Sequence, residues 1–264
     1  MRSQFARKKV ATGLSAFDQI TGGGLPRSST IVLSGEAGSG KKLLARHLMW
    51  NLLQYDAKIL YFSIDQSAEE LQYYMHNYGW DIAPFEANGH LKIVDVFSKS
   101  LDRQYNNYQA IGESKFDPQN MKYTLSVNKL LYEVYDIEDV STEATIFFEQ
   151  LKFQSPGLLI FDTVTPLLST NMKGALQLIT ELIKDVKEAE ATLLVLFNYE
   201  VHSDYLDKTL KSLTDALITL RVNDGTMIFL NILKYPGKHA IGPFPLELTF
   251  NGVTIIPIAM PQLI

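Results

Sequence analysis

Short apolar runs alternate with longer amphipathic segments along most of the chain. Six runs have the length and composition of buried strands, and they cover residues 30–35, 58–64, 90–96, 157–162, 192–198 and 216–222. Helical periodicity follows the first run over 41–54 and returns over 172–190, and Ser67 and Glu70 have the spacing of a capping box that begins another helix. Apolar strands that alternate with amphipathic helices are typical of a mostly parallel, twisted sheet with helices on both faces. The pattern therefore predicts an α/β fold.

The end of the chain has a different pattern. Three strand-like runs lie close together over 226–234, 245–250 and 252–258, and Asn251-Gly252 offers a tight turn between the last two. Strands that follow one another through short turns pair in antiparallel fashion. We therefore expect an antiparallel C-terminal extension of the same sheet.

Two segments depart from the alternation. Residues 99–120 are polar and rich in turn residues, which predicts a long loop insertion. Residues 125–153 have helical character with a break near 139–141. The basic N-terminus, residues 1–11, is expected to be flexible. Because no repeat or linker divides the sequence, residues 1–264 are predicted to form a single domain.

Composition narrows the classes of function. The chain of 264 residues carries a net charge of −5, which argues against a dedicated nucleic-acid-binding protein but leaves room for a local basic patch. It contains no cysteine, so disulfides and thiolate metal sites are excluded. No apolar run approaches the roughly 20 residues that span a bilayer. We expect a soluble, cytoplasmic protein with no membrane span.

A glycine-rich sequence joins the first predicted strand to the helix that follows it. It reads GEAGSGKK and comprises Gly35, Glu36, Ala37, Gly38, Ser39, Gly40, Lys41 and Lys42. Backbone N–H groups in such a turn converge on phosphate oxygens, and the helix N-terminus adds its dipole. The lysine after the last glycine reaches the β and γ phosphates. The segment predicts a nucleotide-binding site with Lys41 as its phosphate-binding lysine.

The flanks of this loop resemble the KaiC-like branch of the RecA superfamily. Residues 12–41 carry TG, then GGGLP, then the phosphate loop, in the order of that family. Further resemblances follow at ILYFSIDQSAEEL, GWD, LLIFDT, LTDALITL and LKYPGKH, and 99–150 is the poorest match. The resemblance implies one RecA-like P-loop NTPase core that binds ATP or ADP. It also implies assembly as a ring with the nucleotide at the subunit boundary.

The resemblance gives roles to single residues. It implies that Asp162, at a strand end, holds Mg²⁺ through water, with capping of a turn as the alternative. Asp65 and Gln66 stand at the positions of a catalytic glutamate pair. Lys234 is implied to contact phosphate on a neighbouring subunit. Asn198, at another strand end, is a candidate sensor of the γ-phosphate.

Lys42 stands where the family has the threonine or serine that ligates Mg²⁺. A protonated lysine cannot ligate a metal, and two unit charges about 4 Å apart repel by roughly 4 kcal/mol at an effective dielectric of about 20. Two alternatives follow. Either Lys42 replaces the metal electrostatically and permits nucleotide binding without it, or the side chain extends into solvent and the site is weakened. The requirement for Mg²⁺ is open at this point.

Further departures affect hydrolysis. Asp65 is one methylene shorter than glutamate and Gln66 cannot act as a base, and a misplacement of about 1 Å costs about a hundredfold in rate. Asp65 acting through an intervening water is the alternative. Pro236 stands where the family has an arginine that contacts the γ-phosphate of the next subunit, and such an arginine is worth about 10³ to 10⁵ in rate. Fast ATP hydrolysis is therefore not expected.

Three hypotheses about function follow, and we favour the first. It is a KaiC-like protein that binds ATP or ADP with weak or absent hydrolysis and acts as a regulatory or scaffold subunit, as a homo-oligomer or docked on a partner protein. The second is an active ATPase of the RecA/RadA-paralogue type in DNA recombination, repair or signalling. The third is an interaction protein that binds no nucleotide. Tyr73, Tyr74, Tyr105 and Tyr108 could stack on single-stranded bases, but few basic residues lie among them, so nucleic acid is the less favoured partner.

Overall fold

The computed structural model describes residues 8–100, 143–144, 146, 157–201, 204–223 and 227–256. Its strands are β1 (Lys9–Val10), β2 (Leu25–Pro26), β3 (Ser29–Gly35), β4 (Lys58–Ser63), β5 (Leu91–Asp95), β6 (Gly157–Asp162), β7 (Thr192–Phe197), β8 (Ala216–Asn223), β9 (Met227–Lys234), β10 (Phe244–Thr249) and β11 (Gly252–Ile255). Its helices are α1 (Ser15–Ile20), α2 (Lys41–Leu53), α3 (Ala68–Asn77), α4 (Ala83–Ala87), α5 (Thr165–Thr170), α6 (Met172–Glu188) and α7 (Asp204–Leu213), with a 3₁₀ turn at Tyr199–Val201.

Nine of these strands form one sheet, in the order β11-β10-β9-β8-β3-β7-β6-β4-β5. The six strands from β8 to β5 run parallel to their neighbours, whereas β9, β10 and β11 pair antiparallel. The predicted α/β class and the antiparallel C-terminal extension are both confirmed. The turn between β10 and β11 consists of Phe250 and Asn251, since Thr249 pairs with Gly252.

Helices cover both faces of the parallel part of the sheet. On one face α1, α2 and α3 contribute buried residues such as Phe17, Leu44 and Leu71 to a first core. On the other face α5, α6 and α7 contribute residues such as Leu167 and Leu178 to a second core. The strands between them are apolar on both sides, which explains why they are continuous hydrophobic runs in the sequence.

The ends of several elements lie where their sequence signals predict them. The side chain of Ser67 accepts a hydrogen bond from the backbone of Glu70, and Glu70 accepts one from the backbone of Ser67, so the predicted capping box begins α3. Lys9 and Val10, inside the segment expected to be flexible, pair with β2 as β1. Residues 1–7 lie outside the described residues. So do 101–120 of the predicted loop and, apart from 143, 144 and 146, the predicted helical stretch over 125–153.

The hairpin of β10 and β11 packs against α2 through a histidine. His47 stacks on Trp80 with ring centroids 4.8 Å apart, and its Nδ1 accepts a hydrogen bond of 3.0 Å from the backbone N–H of Val253. Gly252 must be glycine here, because its φ is 109° and a Cβ would lie 2.6 Å from His47 Nδ1. The hairpin therefore depends on an imidazole whose Nδ1 is unprotonated.

Among the described residues, no helix combines the length and hydropathy required to cross a membrane.

Protonation of His47 is expected to weaken this junction. Burial lowers the pKa of His47 from its ordinary value of 6.5, so the unfolded chain takes up this proton at a higher pH than the folded chain does. The stability that depends on neutral His47 is complete above about pH 6.5 and is lost as the pH falls through the lower folded pKa. Urea denaturation at a series of pH values measures this loss. His47→Gln should flatten the profile relative to wild type, and His76→Gln, which alters an exposed histidine, should not. An unchanged slope in His47→Gln would contradict the assignment.

Candidate functional site

Four neighbouring strands bring the predicted site residues to one edge of the sheet. β3, β7, β6 and β4 stand side by side and run in the same direction. The glycine-rich loop follows β3, Asn198 follows β7, Asp162 is the last residue of β6, and Asp65 lies two residues beyond β4. Ligands of open α/β sheets bind at this carboxyl edge. The sheet thus assembles a site from residues that are far apart in the chain.

The glycine-rich loop forms a tight turn into α2. Gly38 and Gly40 have φ angles of 78° and 83°, a backbone region that glycine adopts without strain. At Gly35 the reason for glycine is space, because a Cβ would lie 2.4 Å from Ser39 Oγ. That hydroxyl is buried and has no hydrogen-bond partner among the described residues. The glycines therefore permit the tight turn that a phosphate-binding loop requires.

Lys41 is buried within this loop and held by two oxygens. Its Nζ donates hydrogen bonds to the carbonyl of Glu36 at 2.9 Å and to Asn198 Oδ1 at 2.7 Å. Burial, followed by the neighbouring charge of Lys42, lowers the pKa of Lys41. The Glu36 carboxylate accepts a hydrogen bond from the hydroxyl of Tyr199. Burial and then this bond raise the pKa of Tyr199 to about 12, so the phenol stays a donor at neutral pH.

Lys42 lies between two carboxylates, with 31% of its side chain exposed. Its Nζ is 2.5 Å from Asp65 Oδ1 and 3.5 Å from Asp162 Oδ1. Burial, followed by the proximity of Asp162, raises the pKa of Asp65, and Lys42 partly offsets this rise. The ammonium therefore binds the side chain that stands in the position of a catalytic base.

Arg46 and Tyr61 hold the other oxygen of Asp162. Arg46 Nη2 lies 3.2 Å from Asp162 Oδ2, and the Tyr61 hydroxyl donates to the same oxygen. Burial alone would lower the pKa of Arg46, but Tyr61 and Asp162 raise it overall, so the guanidinium stays charged. Burial, and then Asp162, raise the pKa of Tyr61, so its hydroxyl stays protonated. Asp162 has no exposed surface. Its Oδ1 has no hydrogen-bond partner among the described residues, and Lys42 Nζ lies 3.5 Å from it.

These residues do not fit a Mg²⁺ ion. Magnesium requires oxygen ligands in octahedral geometry at about 2.1 Å, and position 42 offers none. Lys42 already lies between Asp65 and Asp162, and its charge, together with that of Arg46, offsets the attraction that these two carboxylates would exert on a divalent ion. Within the described ranges, no three or more His, Asp or Glu side chains form a group able to hold a metal.

The remaining predicted residues have different placements. Gln66 is buried, and its Nε2 has no partner among the described residues, so its amide is not oriented by a hydrogen bond. Ala37 is exposed at the tip of the loop. Lys234 donates to the carbonyl of Thr214 and pairs with Leu217, near the start of β8. That is the sheet edge opposite the loop, so Lys234 does not reach the phosphate loop of its own chain.

The fold and this edge together define the class of protein: a P-loop protein with a RecA-like core. The family model described as ATPase: KaiC matches residues 10–260. The chain therefore belongs to the KaiC ATPase family.

Several known proteins are similar to this chain over nearly its whole length. A UPF0273 protein from Thermotoga maritima is 26% identical over 255 residues, which cover 95% of this chain and 96% of that protein. The circadian clock oscillator protein KaiC of Rippkaea orientalis is 24% identical over 97% of this chain, which spans 45% of that protein. The crystal structure of a KaiC-like protein from Pyrococcus horikoshii is similar in fold, with a TM-score of 0.64, 16% identity and coverage of 95% of this chain and all of that one.

Sequence reasoning missed three contributors to the site. Arg46 follows Lys42 by four residues on α2, so helical spacing places it on the same face and could have revealed it. Tyr61 lies within the apolar run of β4, where nothing distinguishes it from a core aromatic. The bond between Tyr199 and Glu36 joins distant segments and has no local signal.

Loss of Arg46 is expected to destabilise the fold through Asp162. Breaking a buried ion pair costs about 3 to 5 kcal/mol, and we expect about 2 to 4 kcal/mol for Arg46→Met because Lys42 and Tyr61 remain. The free energy of unfolding in urea measures the loss. In an Asp162→Asn background the same substitution should cost much less, because no buried charge needs compensation. Equal costs in the two backgrounds would show that Arg46 acts through packing alone.

Proposed function

We propose that the protein binds ATP or ADP, hydrolyses ATP slowly or not at all, and acts as a nucleotide-dependent regulatory or scaffold subunit. The observation that carries this proposal is the ion pair between Lys42 and Asp65. It leaves the glycine turn and Lys41 available for phosphate, and it engages the carboxylate that would have to activate water. Binding and hydrolysis are thereby separated within one site.

Three features support slow or absent hydrolysis. A general base must reach the attacking water, but Asp65 is held by an ammonium and Gln66 has no basic group. The position of the trans-acting arginine is occupied by Pro236, which offers no charge. Because base, metal ligand and arginine contribute separately to phosphoryl transfer, their losses multiply.

Family membership supports a self-associating or partner-docked protein. Lys234 lies at the sheet edge away from the phosphate loop, so it can approach a nucleotide only on another subunit. A nucleotide shifts an assembly equilibrium when the two states bind it with different affinity. The regulatory role that we propose is such a shift, in a soluble, cytoplasmic homo-oligomer or in a complex with another protein.

Nucleotide binding should depend on Lys41. Hydrogen bonds from a charged donor are worth about 1.5 to 3 kcal/mol, so Lys41→Ala is expected to weaken ATP and ADP binding by roughly tenfold to a hundredfold. Calorimetric titration measures both affinities. Lys173→Ala, which removes an exposed lysine on α6, is the matched control and should bind like wild type. If wild-type protein binds neither nucleotide, the protein is an interaction module on an ATPase fold.

Turnover should be far below that of an ordinary ATPase. Typical enzymes turn over about 1 to 10³ times per second, and loss of an arginine finger alone removes about 10³ or more. We expect phosphate release from ATP at least about a thousandfold below one per second. Turnover near one per second that disappears in Lys41→Ala would instead establish an active ATPase.

A further inference from the structure

We infer that Lys42 and Arg46 together replace the divalent cation of this site, so that its ligand is a nucleoside di- or triphosphate free of Mg²⁺. This inference rests on the proposed function, and it adds the chemical form of the nucleotide. It differs from a simple weakening of the site, because the positive charge is supplied by the chain itself.

The positions of the two cations carry the inference. Lys42 Nζ lies 2.5 Å from Asp65 Oδ1 and 3.5 Å from Asp162 Oδ1, so it bridges the two carboxylates at the end of the phosphate loop. Arg46 lies one helical turn further along α2, with its Nη2 3.2 Å from Asp162 Oδ2. The two cations therefore occupy the space between the two carboxylates, at the C-terminal side of the phosphate loop.

The charges match those of the ion that they replace. Lys42 and Arg46 each carry one positive charge, which equals the charge of one Mg²⁺. Asp65 and Asp162 carry the two negative charges that such an ion would face, and Lys41 adds the same charge in either case. The net charge that meets the phosphates is therefore unchanged without any metal. Phosphate binding needs this charge balance, whatever its source.

Burial stabilises the part of this arrangement formed by Arg46 and Asp162, whereas Lys42 and Asp65 are partly exposed. Arg46 is 7% exposed and Asp162 is fully buried, so water screens their interaction little. Tyr61 donates to the same oxygen of Asp162 and contacts Arg46 Nε at 3.4 Å, which fixes the guanidinium. A metal ion would have to displace Lys42 from both carboxylates before any nucleotide could use it.

The test is calorimetric titration of the wild-type protein with ATP and with ADP, once with saturating Mg²⁺ and once with a chelator. We expect each nucleotide to bind in chelator and to bind no more tightly with Mg²⁺, because Mg²⁺ removes the metal-free nucleotide from solution. Binding that is at least about tenfold tighter with Mg²⁺ would overturn the inference and leave the proposed function standing. Absence of binding in both buffers would overturn both.

Variants at position 42 separate charge from shape. Lys42→Thr supplies a hydroxyl ligand in place of the ammonium, and we expect its affinity in chelator to fall at least about tenfold and to recover with Mg²⁺. Lys42→Arg keeps the cation and should remain independent of metal. If Lys42→Thr and Lys42→Arg have the same affinities in chelator and in Mg²⁺, the charge at position 42 has no role in binding. Far-ultraviolet circular dichroism confirms that each variant is folded, and the wild-type comparison stands without them.

Discussion

The site depends on one constraint: the buried carboxylate of Asp162 needs positive charges and hydrogen-bond donors around it. Asp162 ends a strand in the middle of the sheet and has no contact with solvent. A buried charge without partners is strongly destabilising, so the surrounding elements must supply positive charge and donors. α2 supplies Lys42 and Arg46, and β4 supplies Tyr61. The candidate nucleotide site and the stability of the fold therefore share the same side chains.

The sequence was sufficient for most of the fold, because the strands of a doubly covered sheet must be apolar on both faces. The antiparallel pairing at the C-terminal end could be predicted because short connections join the last strands. The site could be predicted only in part. The glycine loop is a local sequence motif, whereas the contact between Lys42 and Asp65 joins segments that are far apart in the sequence. Whether that ammonium extends into solvent or binds Asp65 depends on the distance between two strand ends, which no local pattern encodes. Tyr61 is equally hidden, because its hydroxyl reaches Asp162 from inside an apolar strand.

An ammonium in place of a metal ligand separates the binding of phosphates from their activation, which a metal ion usually provides together. A metal both attracts phosphates and polarises them for attack, whereas a lysine bound to carboxylates only balances charge. A family fold can in this way keep its ligand while giving up its chemistry. The fold alone does not reveal this difference, which depends on a few side chains at one sheet edge.

The phosphate loop also binds its own lysine. Lys41 already donates to the carbonyl of Glu36 and to Asn198, and Glu36 is tethered in turn by Tyr199. A phosphate that engages Lys41 exchanges one acceptor for another, so the number of hydrogen bonds hardly changes. These bonds order the loop, so a nucleotide that binds as we propose would have less loop entropy to overcome. Affinity at this site then depends on how strongly Asn198 and the Glu36 carbonyl hold Lys41 before the nucleotide binds.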